Sequence, residues 1–140
     1  MTFVVDRPPV VIDASVAIGS LLKADPRGLA AFEKWRADER LTVVPVIFWA
    51  EVANGLLVGN RVDALKTQSY LSSLMGFGVE SADRGLAGVS DAIDLAARHR
   101  LTVYDALYLQ LAIDTDATLA TMDADLARAA RDEGIELEAV

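Results

Sequence analysis

Residues 9–19 read PVVIDASVAIG, and within them three β-branched apolar residues, Val10, Val11 and Ile12, run directly into a carboxylate, Asp13. A short β-branched run of this kind is a buried strand rather than the start of a helix. From Ser15 the apolar spacing changes to that of a helix, which is expected to stop near Asp25-Pro26 because proline disfavours helical backbone in the residue before it. The unit is strand, turn, helix, with an acid at the turn.

The same alternation continues downstream. Leu29, Ala30, Phe32 and Trp35 mark a second helix to about Asp38, and Leu41 to Val44 a strand closed by Pro45. A mostly buried helix is expected from Val46 to about Val58, stopped by Gly59-Asn60, and an amphipathic one over 62–74. Next come a strand over 77–80, a helix over 86–100, a helix over 102–113 and a strand over 117–121. A last helix over 123–132 and a terminal strand over 135–137 complete the chain. Strands that alternate with helices predict a parallel α/β sheet covered on both faces, since parallel strands need long, right-handed crossovers. A chain of 140 residues has room for one such domain, here 1–140 with 1–9 as a short N-terminal extension.

Composition narrows the chemistry. The sequence has no cysteine and a single histidine, His99, which removes thiolate catalysis, disulfides and histidine- or cysteine-rich zinc sites, and leaves oxygen ligands for any metal. No basic leader with a long apolar run opens the sequence and no later run matches a membrane span, so the expectation is a soluble, cytoplasmic protein without a membrane partner. A net charge of −8 argues against nonspecific nucleic-acid binding by the whole surface. Arg7, Lys23, Arg27, Arg61, Lys66, Arg98 and Arg100 are scattered and read first as solvated surface charges.

Four acids stand out. Asp13 lies where a strand hands over to a helix, the edge at which open α/β sheets collect ligands, although an aspartate there can equally cap the helix. Glu51 interrupts an apolar stretch, and a buried glutamate without a partner is costly; Asn54, three positions on, shares its side of the helix. Asp105 follows Thr102 at capping-box spacing, so its local role is structural. Asp123 follows the fourth strand and can cap the last helix, with Asp125 as a competitor two positions away. Together, three of them fall at strand-to-helix junctions or first helical turns on one sheet edge. Carboxylates gathered this way raise one another's pKa unless a hard cation such as Mg²⁺ or Mn²⁺ neutralises them.

Four blocks, VVIDASVAIG (10–19), WAEVANGLL (49–57), LTVYDALYLQLA (101–112) and LATMDADLARAA (119–130), in this order and spacing, resemble the PIN-domain family and more closely its VapC toxins of bacterial toxin–antitoxin pairs. The resemblance implies a three-layer α/β/α domain with a central, mainly parallel sheet of four to five strands. It also implies metal-dependent endoribonuclease activity. Carried over by position, Asp13 and Asp105 are the principal metal ligands, and Glu51 and Asp123 complete the site directly or through water. Ser15, Asn54, Thr121 and Asp125 are the supporting residues around them. The implied partners are an RNA substrate, a small VapB-like antitoxin covering the site, and a second copy of the chain. Two other readings compete: a catalytically silent binding or dimerisation module on the same fold, and an aspartate-based phosphoryl-transfer domain. Against the second, no acid follows Asp13 and no lysine stands at the late strand.

Overall fold

The computed structural model describes residues 7–22 and 26–140, with backbone only for 26–29. The end expected for the first helix near Asp25, the side chains of Lys23, Arg27 and Leu29, and most of the N-terminal extension lie outside these residues. Four strands, β1 (Val10–Ile12), β2 (Thr42–Val44), β3 (Val79–Ser81) and β4 (Thr118–Ala120), form one parallel sheet in the order β3-β2-β1-β4. Helices α1 (Ala14–Leu21) and α2 (Pro26–Ala37) connect β1 to β2, and α3 (Ile47–Asn54) and α4 (Ala64–Gly76) connect β2 to β3. Helices α5 (Leu86–His99) and α6 (Val103–Thr115) lead from β3 to β4, and α7 (Ala124–Asp132) follows β4.

This order fixes the layers. The chain steps outward from β1 to β2 to β3 and then returns past β1 to β4, so right-handed crossovers put α1–α4 on one face of the sheet and α5–α6 on the other. The direction reverses beside β1, between β1 and β4, which is the switch point where ligands bind in open α/β sheets. The result is a three-layer α/β/α sandwich. Its core is mostly aliphatic: Val10, Val11, Ile12, Val44, Leu109, Leu119 and Leu126 are fully buried, and Phe48 and Tyr108 are the largest fully buried side chains.

Three elements depart from the sequence expectation. The helix foreseen over 46–58 is α-helical only to Asn54 and then widens into a π-helical turn, Gly55–Gly59, closed by a bond from Asn60 Nδ2 to the Gly55 carbonyl. Gly55 is where this segment comes closest to α1, since a Cβ there would lie 2.4 Å from Ile18 Cδ1. The third strand begins later than expected because Gly78, at φ +87°, ends α4 before the chain extends. The terminal strand reduces to one parallel bridge, Leu119 to Leu137, held by two backbone hydrogen bonds. Away from the switch-point edge, Arg40 ties the chain ends together: it donates to the Pro8 carbonyl from both Nε and a terminal nitrogen, to Thr118 Oγ1, and to Glu138.

Candidate active site

Asp13 is the only charged residue among the described ones in the buried set, at 5% exposure. It occupies the N-cap position of α1, yet its side chain makes no cap bond to the helix. Instead Oδ2 accepts from Ser15 Oγ at 2.9 Å and from Thr121 Oγ1 at 2.7 Å. Both hydroxyls are themselves fixed, because Met122 N–H donates to Ser15 Oγ and Asp123 N–H to Thr121 Oγ1. The turn after β1 and the turn after β4 are thus joined through one carboxylate at the switch point. Burial raises the Asp13 pKa, the Thr121 and Ser15 hydroxyls oppose the rise, and the Asp105 charge adds to it.

Glu51 projects from α3, whose Phe48 and Val52 enter the core together with Leu56 of the π-helical turn, and is half-buried. Its Oε1 accepts from the Tyr108 hydroxyl at 2.8 Å. Burial raises the Glu51 pKa, Tyr108 moderates it, and Asp13 and Asp105 push it further. Asp105 sits in the first turn of α6, where its backbone N–H is capped by Thr102 Oγ1 at 3.1 Å, as the capping-box spacing predicts. Burial raises its pKa, followed by the charge of Asp123, while Thr102 lowers it. Asp13, Glu51 and Asp105 come from three separate elements and feel one another's charge.

The other sequence candidates divide. Asp123 caps α7, with Oδ1 accepting from Asp125 N–H at 2.8 Å and Leu126 N–H at 3.0 Å, while its charge still reaches Asp105. Asp125 is exposed and pairs with Arg128 one turn along the helix at 3.1 Å. Asn54 is exposed and makes no hydrogen bond to any of the acids among the described residues. Three positions along a helix turn a side chain about 60° from its predecessor. Here that is enough to carry Asn54 out to solvent. Tyr108 is absent from the candidates that the sequence offers, although it lies three positions after Asp105 on the same helix. A hydroxyl-bearing ring at that spacing was the available signal.

The donor set fits a hard divalent cation in kind: it is all oxygen, from carboxylates whose mutual repulsion a cation would relieve. Among the described residues no group of three or more acidic or histidine side chains is placed to hold a metal ion, so a cation would be held only once the carboxylates draw together.

The sequence profile of the PIN domain family matches residues 10–132. The chain belongs to the PIN domain family. Among solved structures, the PIN chain superposes on VapBC2 from Rickettsia felis with a TM-score of 0.68 at 17% identity, covering 92% of this chain and 96% of that one. VapC20 from Mycobacterium tuberculosis gives 0.68 at 14% identity over 86% and 94% of the two chains. FitAcB from Neisseria gonorrhoeae gives 0.61 at 18% identity over 93% and 96%. The fold is therefore that of VapC-type toxins. No curated protein is significantly similar to the chain in sequence. Among the described residues, no helix of this PIN domain is long and apolar enough to cross a membrane.

The raised carboxylates make a prediction about cation-free protein. A carboxyl whose pKa is higher folded than unfolded binds its proton more tightly in the folded state, so its stabilising contribution is present at low pH and is lost as pH rises through the folded value. Asp13, Glu51 and Asp105 all shift upward. EDTA-treated protein is expected to gain thermal stability as pH falls from neutral towards the ordinary carboxylate range. Asp13→Asn should show a smaller gain, measured by thermal unfolding across pH.

Proposed function

We propose that this PIN domain is a divalent-cation-dependent endoribonuclease and acts as the toxin of a toxin–antitoxin pair in the cytoplasm. The observation that carries the reading is the set of Asp13, Glu51 and Asp105 around the switch point, each made more basic first by burial, with the charge of Asp105 reaching Asp13, those of Asp13 and Asp105 reaching Glu51, and that of Asp123 reaching Asp105. In this reading Asp13 and Asp105 hold Mg²⁺ or Mn²⁺, and Glu51 and Asp123 complete the site directly or through water. A bound ion supplies polarisation of the scissile phosphodiester and a water of lowered pKa. The protein's part is to keep the acids aimed: Ser15 and Thr121 fix Asp13, and Thr102 fixes the turn that carries Asp105.

Two relatives support the biological setting. VapC20 of M. tuberculosis is a toxin that cleaves the sarcin–ricin loop, and VapBC2 of R. felis is seen with a DNA fragment from its promoter. RNA as substrate and a VapB-like antitoxin as partner are proposed here on that likeness, together with the acidic cluster, which would attract a basic side chain of the partner. The test is a pool of structured RNAs incubated with antitoxin-free protein. Cleavage with Mg²⁺ or Mn²⁺ and none with EDTA supports the reading. No cleavage, together with no cation binding by calorimetry, favours the silent binding module.

A homodimer belongs to the same proposal, and exposed apolar residues on α5 give it a surface. The 47–58 segment sends Phe48, Val52 and Leu56 into the core and leaves Leu57 and Val58 exposed, and Tyr70 and Leu71 pack against the core. Exposed apolar residues include Leu86 and Ile93 on α5, with Val46 and Tyr104. A groove of about 390 Å³ lined by Val46, Ile47, Val89, Val103, Tyr104 and Leu107, among others, runs beside them. Leu86→Glu with Ile93→Asp is expected to convert a dimer to a monomer in light scattering while leaving the melting temperature within a few degrees, since both side chains are exposed.

A further inference from the structure

We propose that Tyr108 is a positioning residue for the cation site, holding Glu51 inward against the repulsion of Asp13 and Asp105 until a cation arrives. This rests on the metal-binding reading above. The ring of Tyr108 is fully buried, and packing alone would be served as well by phenylalanine. Among the described residues its hydroxyl has one acceptor, Glu51 Oε1, from an element 57 residues away in sequence. The phenol oxygen also faces the Ala14 N–H, but without Glu51 its buried O–H would have no acceptor, so the bond is enforced from the tyrosine side.

From the glutamate side the bond has a different effect. Glu51 has a long, rotatable side chain, is half open to solvent, and faces two other carboxylates. Without a restraint, those charges favour rotamers that swing it out to water. The phenol occupies Oε1 only, which leaves Oε2 for a cation. Because Tyr108 and Asp105 sit on the same helix, α6 both supplies one acid and fixes another, so the spacing between α3 and α6 sets how far apart these ligands stand.

Mn²⁺ binding by the full chain, measured by calorimetry with no RNA present, tests this in a double-mutant cycle. Tyr108→Phe is expected to weaken Mn²⁺ affinity by about three- to tenfold, the range of one ordinary net hydrogen bond. In a Glu51→Gln background the same change should add nothing, because Tyr108 acts only through that carboxylate. Glu51→Asp, which keeps the charge but draws it back from the phenol, provides a second probe that leaves the core intact and should also weaken Mn²⁺. Wild-type affinity in Tyr108→Phe, or an equal loss in both backgrounds, overturns the positioning role alone. Failure of the wild-type protein to bind Mn²⁺ overturns the metal reading and this role with it.

Discussion

Asp13→Asn combined with Asp105→Asn is expected to abolish RNA cleavage, with a loss of about three orders of magnitude or more, while the protein remains folded. The size follows from what these carboxylates contribute: charge fixed in advance where a cation and the reacting phosphodiester must sit, the kind of contribution whose removal costs about a hundredfold to a thousandfold per group. Folding should survive because the acids are not what holds the sheet together. Asp13 is buried against the tendency of a charge to stay in water, with a raised pKa to show for it. The amide of asparagine removes that charge and still accepts the Ser15 and Thr121 hydroxyls. Cation-free Asp13→Asn is therefore at least as stable as wild type near neutral pH. Single-turnover cleavage and thermal unfolding on the same preparations check both halves. A variant that loses activity only because it unfolds would contradict the site assignment.

The second large effect lies away from the acids. Arg40 is 11% exposed at its side chain and Glu138 is 21%, and together with the Pro8 carbonyl and Thr118 they form a compact polar network. Arg40→Met keeps much of the stem's packing and deletes every donor of the guanidinium, leaving the Pro8 carbonyl without its partner and Glu138 with only the Thr118 hydroxyl. Breaking a largely buried ion pair from one side costs more than the pair contributes as a whole, and about 2–3 kcal/mol is expected here. Urea denaturation should show a lower midpoint with an unchanged slope. RNA cleavage by the folded fraction should stay at the wild-type level, because none of the groups in this network touches Asp13, Glu51 or Asp105. Loss of activity without loss of stability would mean that the two ends of the sheet are coupled.

The fold was legible because its signals are local. Val10 to Ile12, the Pro45 stop and the Thr102–Asp105 cap each place an element boundary within a few residues, and the alternation of strands and helices implies the parallel sheet. What local patterns miss is contact at a distance. Glu51 was conspicuous as a carboxylate in an apolar stretch, but its partner Tyr108 lies on another helix, and only folding brings them to 2.8 Å. Asn54 shows the opposite error, for a shared helix side in sequence became an exposed residue once the buried stripe was fixed by Phe48, Val52 and Leu56. The π-helical turn after Asn54 was equally invisible, because apolar spacing scarcely distinguishes a widened turn from an α-helical one. Asp123 does what its neighbours in sequence announced, capping α7, and its charge also reaches Asp105.

The chemistry of the cut ends tests the central claim most directly. RNA fragments produced by antitoxin-free protein in Mg²⁺ should carry 5′-phosphate and 3′-hydroxyl ends, as expected when water attacks phosphorus, and EDTA should prevent their formation. Fragments ending in 2′,3′-cyclic phosphates, or cutting that persists in EDTA, would contradict it.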